Sequence, residues 1–126
     1  MRVLAFCCVL LLVGCDTLGG RAVVLKLQPA AGESDVEQVL KVVDRTMTPE
    51  GARRVAATSS EQQQIAHYVG GHFMCTVRRS GDELIVDFRN PSFGAESRPT
   101  PTVKCVSAAV AENLKSQYGD RRVRFE

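Results

Sequence analysis

The chain has 126 residues, 44% apolar and 24% charged, with five cysteines and a formal net charge of +2. Sixteen Lys and Arg, one of them Arg2, stand against fourteen Asp and Glu. That near balance excludes a bulk electrostatic case for nucleic-acid binding, and the length fits one domain with one modest core.

The chain opens with Met1 and Arg2, then an apolar run from Val3 to Val13, and then Leu12-Val13-Gly14-Cys15 closes the segment. The run is about half of the roughly 20 residues a spanning helix needs, which argues against a membrane anchor. A plain secretory signal needs a small-x-small cleavage site, and Val13-Gly14-Cys15 fits that less well. Leu12-Val13-Gly14-Cys15 resembles the lipobox of bacterial lipoprotein precursors, a resemblance that covers the leader alone. It implies that residues 1–14 are a signal peptide removed on maturation, that Cys15 carries the lipid, and that the protein sits in the bacterial cell envelope. In enteric-type sorting an aspartate directly after the lipidated cysteine favours retention at the inner membrane, facing the periplasm. Asp16 matches that pattern, and the outer membrane is the other destination.

Residues 15–20 would then be a lipidated tether and residues 21–126 a single α+β domain. At about 3.5 Å per extended residue the tether reaches under ~20 Å, so the domain is expected to ride close to the bilayer. Apart from lipid on Cys15, no cofactor or metal is expected. The partners are the membrane and either a membrane-proximal protein or a second copy of the chain.

Ala22 to Leu27 is short and rich in branched residues, which predicts a strand with Val23, Leu25 and Leu27 on one face. Ser34 with Glu37 three residues on has the form of a capping box. Val36, Val39, Leu40, Val43 and Met47 then fall at helical spacing, with Pro49 and Gly51 as the stop. The polar stretch over residues 58–64 reads as a loop or as a short helix opened by Thr58 and Glu61, with the helix through Tyr68 preferred. After Gly70-Gly71, His72 to Arg78 and Glu83 to Phe88 alternate with period two around Arg79-Ser80-Gly81-Asp82, the pattern of a hairpin. Phe73, Cys75 and Val77 share one face of the first strand, and Leu84, Val86 and Phe88 share one face of the second. Residues 90–102, with their prolines, read as loop. A second helix carries Val106, Val110 and Leu114 and ends at Gly119, and Val123 and Phe125 mark a last strand.

Cys7 and Cys8 lie in the leader, so Cys75 and Cys105 remain as an even pair in an exported domain, which predicts one disulfide. Closing a loop of about 30 residues would contribute roughly 3–4 kcal/mol. The bridge requires Cys105 to precede the first regular turn of the second helix, because it lies off the Val106, Val110, Leu114 stripe.

The order strand, helix, hairpin, helix, strand predicts a ferredoxin-like two-layer α+β sandwich with βαββαβ order and a short helical insertion before the hairpin. Helices would cover one face of the sheet and leave the other open. Val24, Met74, Arg78, Ile85, Arg122 and Arg124 would form an apolar patch rimmed by charge, the candidate partner surface. Single-stranded RNA binders need aromatic residues there, and Phe73, Phe88 and Phe125 are on the other phase. The paired arginines 53–54 and 78–79 and the basic end from Arg121 read as solvated edges, or as groups drawn to anionic headgroups at about 1 kcal/mol each.

No metal-hydrolase, nucleophile-elbow or phosphate-loop motif is present, so no catalytic residue is assigned. The expectation is a membrane-anchored binding or assembly module. The alternative is a small envelope hydrolase whose site is not visible in the sequence, with His67, Tyr68 and His72 as one conceivable polar cluster.

Overall fold

The computed structural model describes residues 20–56, 63–91 and 98–126. The leader, Cys15, the tether up to Gly19 and the Thr58–Glu61 pair lie outside the described residues. The elements are β1 (Gly20–Lys26), α1 (Glu33–Met47), β2 (Ala52–Ala56), β3 (Gln64–Gly70), β4 (Met74–Ser80), β5 (Glu83–Arg89), α2 (Pro101–Tyr118) and β6 (Val123–Phe125). Short 3-10 turns at Thr48–Glu50 and Asp120–Arg122 follow the two helices.

All six strands form one antiparallel sheet in the order β2-β3-β4-β5-β1-β6. The α+β class stands. The expected four-strand βαββαβ order does not, because two further strands follow α1 before the β4–β5 hairpin. The short helix expected through Tyr68 is replaced over residues 64–70 by strand β3, paired with β2. Ala52, Ala66 and Tyr68 point inward with the period of a strand, but Arg54 occupies an inward position. A register shift between Gln64 and Ala66 interrupts the pairing of β3 with β4 around Ile65. Both features hide the alternation from a reading of polarity.

Period-two burial builds the remaining sheet. Val23 and Leu25 on β1 stand opposite Val86 and Leu84 on β5, and Val86 in turn stands opposite Val77 on β4. These residues, with Phe88, Met47, Val43, Val103, Val110 and Leu114, form one core between the sheet and both helices. Each such side chain contributes about 1.5–3 kcal/mol by leaving water, an upper estimate because denatured chains already bury part of that surface. Phe73 and Phe88 add a tilted ring pair at 6.0 Å between centroids.

The N-cap of helix α1 lies two residues before the expected one. Gly32 is the N-cap, and its N–H donates to Asp35 Oδ2 at 2.9 Å, so Asp35 takes the role assigned to Glu37. The predicted stripe Val36, Val39, Leu40, Val43 and Met47 is buried throughout. Helix α2 starts earlier than expected because Thr100 and Pro101 are well suited to the N-cap and first turn, and Thr100 Oγ1 accepts from Val103 N at 3.3 Å. Asn90 fixes that start from the end of β5. Its Nδ2 donates to Arg98 O at 2.8 Å and its Oδ1 accepts from Thr100 N at 2.8 Å.

The early start of α2 decides the cysteines. Cys105 lies inside the helix and is exposed, while Cys75 is buried on the helix-facing side of β4. Among the described residues neither is bridged, so the expected Cys75–Cys105 disulfide is not made. The face of α2 that meets the core carries Val103, Val106, Ser107, Val110, Ala111 and Leu114, and at 100° per residue Cys105 is turned away from it.

Candidate functional site

Strand pairing arranges the face opposite the helices in transverse rows. Gly20 is opposite Arg89 and Arg89 opposite Met74; one rung beyond Tyr68–Cys75, Val69 comes beside Met74, and Arg53 is opposite Val69. The next row on this face runs Val55, His67, Thr76, Asp87, Ala22. The third runs Gln64, Arg78, Ile85, Val24, Arg124.

Both helices bury their apolar residues in the core on the other side of the sheet. A shallow groove of about 210 Å³ crosses the first three rows, lined by Gln64, Met74, Thr76, Arg78, Asp87 and Arg89. Asp87 takes an ion pair from Arg89 at 3.5 Å. Arg78 is half-buried in the groove wall. Met74 is the exposed large apolar residue among the described residues, at 39%.

Three members of the expected partner surface hold these positions: Met74, Arg78 and Arg124. Val24 and Ile85 share the third row of the face but are not exposed on it, and Arg122 lies elsewhere. Val24 is fully buried and Ile85 is 8% exposed, although neither belongs to the core under the helices. Strand β1 lies between β5 and β6, and Arg124 of β6 reaches across it to Glu83 of β5. That ion pair passes over β1 beside Val24, and Ile85 is flanked by Val24 and Arg78. Arg122 sits in the turn before β6, where its Nε donates to Lys26 O at 2.8 Å and its guanidinium lies 5.4 Å from the centre of the Tyr118 ring. It braces the sheet corner against α2 and is not on the open face.

A polar cluster not foreseen in the sequence lies on the helix side. Arg54 donates to both carboxylate oxygens of Glu37, at 2.7 and 3.0 Å, and its Nη2 is 3.1 Å from Asp44 Oδ2. Tyr68 donates to Asp44 Oδ1 at 2.5 Å. The signal was present as an arginine at an inward strand position facing two carboxylates seven residues apart on α1. The Arg54 hydrogen bond holds Glu37 below the usual carboxylate range. Burial, then the bond to Asp44, pushes the Tyr68 phenol up, so it stays neutral. The cluster ties the β2–β3 hairpin to α1.

His67 and Tyr68 are consecutive on β3 and face opposite sides of the sheet, while His72 is exposed in the β3–β4 turn. His67 and Tyr68, two members of the conceivable polar cluster, are thus kept apart by the sheet. Burial pushes the Cys75 thiol up, which keeps it in the unreactive protonated form. Among the described residues no group of three or more His, Cys, Asp and Glu side chains is placed to hold a metal ion, and no helix is long and apolar enough to cross a membrane.

No protein-family model matches the chain, and no curated protein matches it. Among solved structures it is similar to the NMR structure of PA4090 from Pseudomonas aeruginosa, at 10% sequence identity with a TM-score of 0.45. The likeness covers 86% of this chain and 96% of that one.

Proposed function

We propose that this protein is a membrane-anchored envelope lipoprotein whose α+β domain acts as a binding or assembly module close to the bilayer, through the open face of its sheet. The observation that carries the reading is the one-sided sheet: two helices on one face, and on the other a groove floored by Thr76 and walled by Met74, Arg78 and Arg89. The run β6-β1-β5-β4 with α1 and α2 supports reading a ferredoxin-like core whose sheet and open face the β2–β3 hairpin would widen. The mixture of Met74, half-buried arginine and Asp87 has the make-up of a protein contact surface, with an apolar centre and a polar rim. The lipid on Cys15 would confine that surface to partners in or against the membrane.

In-cell photo-crosslinking tests the reading. A crosslinker at Thr76 is expected to capture one membrane-associated protein, or a second copy of the chain, and to lose it in the Cys15→Ser background. A crosslinker at Gln117 on α2 is expected to capture neither. Capture from Gln117 and not from Thr76 would overturn the assignment of the working face.

A further inference from the structure

We propose that the row Arg53, Val69, Met74 and Arg89 is a lipid-contacting edge that seats on anionic phospholipid headgroups; this rests on Cys15 being the acylated residue. Strand pairing places the row at one end of the open face, the end at which Gly20 enters the sheet opposite Arg89. Gly20 is five residues from Cys15, so the chain between them reaches at most about 18 Å. A lipid on Cys15 therefore brings this end of the domain, and not the β4–β5 turn, to the bilayer surface.

The row has the composition an interfacial edge needs. Exposed arginines stand at both flanks, and the half-buried Val69 and the exposed Met74 stand between them. Arg53 makes no ion pair among the described residues. Arg89 shares its charge with Asp87 at 3.5 Å, and its side chain is 64% exposed. Glu126 closes the same end of β6 and is engaged by Arg124 at 2.9 Å. Glu50, exposed in the turn before β2, is three residues from Arg53 and is the other carboxylate near this end of the row. The guanidinium groups would take lipid phosphate oxygens, while Met74 enters the layer just below them. Each arginine near an anionic surface favours the seated state about fivefold, and the pair about thirtyfold.

The chain contains no tryptophan, so Met74→Trp gives a single reporter in the acylated protein. The protein is reconstituted into vesicles of phosphatidylcholine with phosphatidylglycerol, or of phosphatidylcholine alone, with brominated acyl chains as quencher. Quenching is expected in the anionic vesicles, weaker quenching in the neutral ones, and loss of the anionic advantage in Arg53→Gln/Arg89→Gln. Ser80→Trp, at the opposite end of β4 and about 20 Å away, is expected to stay unquenched. Acylated protein whose Met74→Trp reporter is unquenched, or equally quenched in both vesicles, would overturn the proposal and leave the envelope reading standing. Absence of acyl mass on Cys15 would overturn both.

Discussion

Arg54 is the residue on which the edge of the sheet depends. It is the side chain that meets Glu37 and Asp44 together, and its removal leaves the more exposed Glu37 and the half-buried Asp44, which Tyr68 still touches, without that cation. Arg54→Ala is expected to cost on the order of 1–2 kcal/mol, seen as a lower urea midpoint, with Tyr68→Phe losing about 1 kcal/mol or less. The pH dependence follows from the direction of the Glu37 shift. Because its folded pKa lies below the ordinary value, the contribution is full above the ordinary glutamate pKa and is lost as pH falls through the lowered one. Wild type and Glu37→Gln should therefore differ in urea midpoint at neutral pH and converge in acid; a constant difference would show that the pair is not ionic. The cysteines give an independent check. Cys105 should react with a thiol reagent in the native protein and Cys75 only after unfolding. Two inaccessible thiols, with a mass two hydrogens short, would restore the bridge that the fold does not make.

At the scale of elements, the β2–β3 hairpin returns to the body of the protein through a close approach of backbones. Gly70 has φ +96°, and a Cβ there would stand 2.4 Å from the carbonyl oxygen of Gly51. Gly81 in the β4–β5 turn has φ +60° with open space around it. Gly70→Ala should thus cost about 2–3 kcal/mol and Gly81→Ala about 1, a contrast that thermal unfolding resolves. Equal losses would mean that the Gly51 contact is unimportant. This hairpin is also where the sequence was hardest to read. Strands β1, β4 and β5 were legible because Val23, Leu25, Cys75, Val77, Leu84, Val86 and Phe88 alternate cleanly. Arg54 broke that alternation with an inward charge whose partners lie on another element, and polarity alone cannot reveal a satisfied inward arginine. The start of α2 is hidden for a related reason: Pro99 and Pro101 look like loop residues, yet Thr100 caps the helix and Pro101 fits its first turn. Once that start moves, Cys105 moves onto the outer face.

At the scale of the whole molecule, the phase of each strand gave the open face its residues, and Met74, Arg78 and Arg124 stand where parity put them. The burial of Val24 and Ile85 was not legible, since it requires knowing that β6 pairs with β1 and lets Arg124 reach Glu83. The fold has two distinct ends. The start of β1, the β3–β4 turn, the end of β5 and the start of α2 lie at one, and the β4–β5 turn and the end of α2 at the other. A lipid on Cys15 would point the first end at the membrane and leave the groove facing along its surface. That arrangement is the reason a short tether and a one-sided sheet belong in one account. It stands or falls with the chemistry of Cys15. The decisive measurement is the mass of the amino-terminal peptide of the protein recovered from cell membranes. A chain that begins at Cys15 and carries diacylglycerol on sulfur is the expected result; a membrane-free protein with residues 1–14 retained, or with Cys15 unmodified, would contradict the lipoprotein reading.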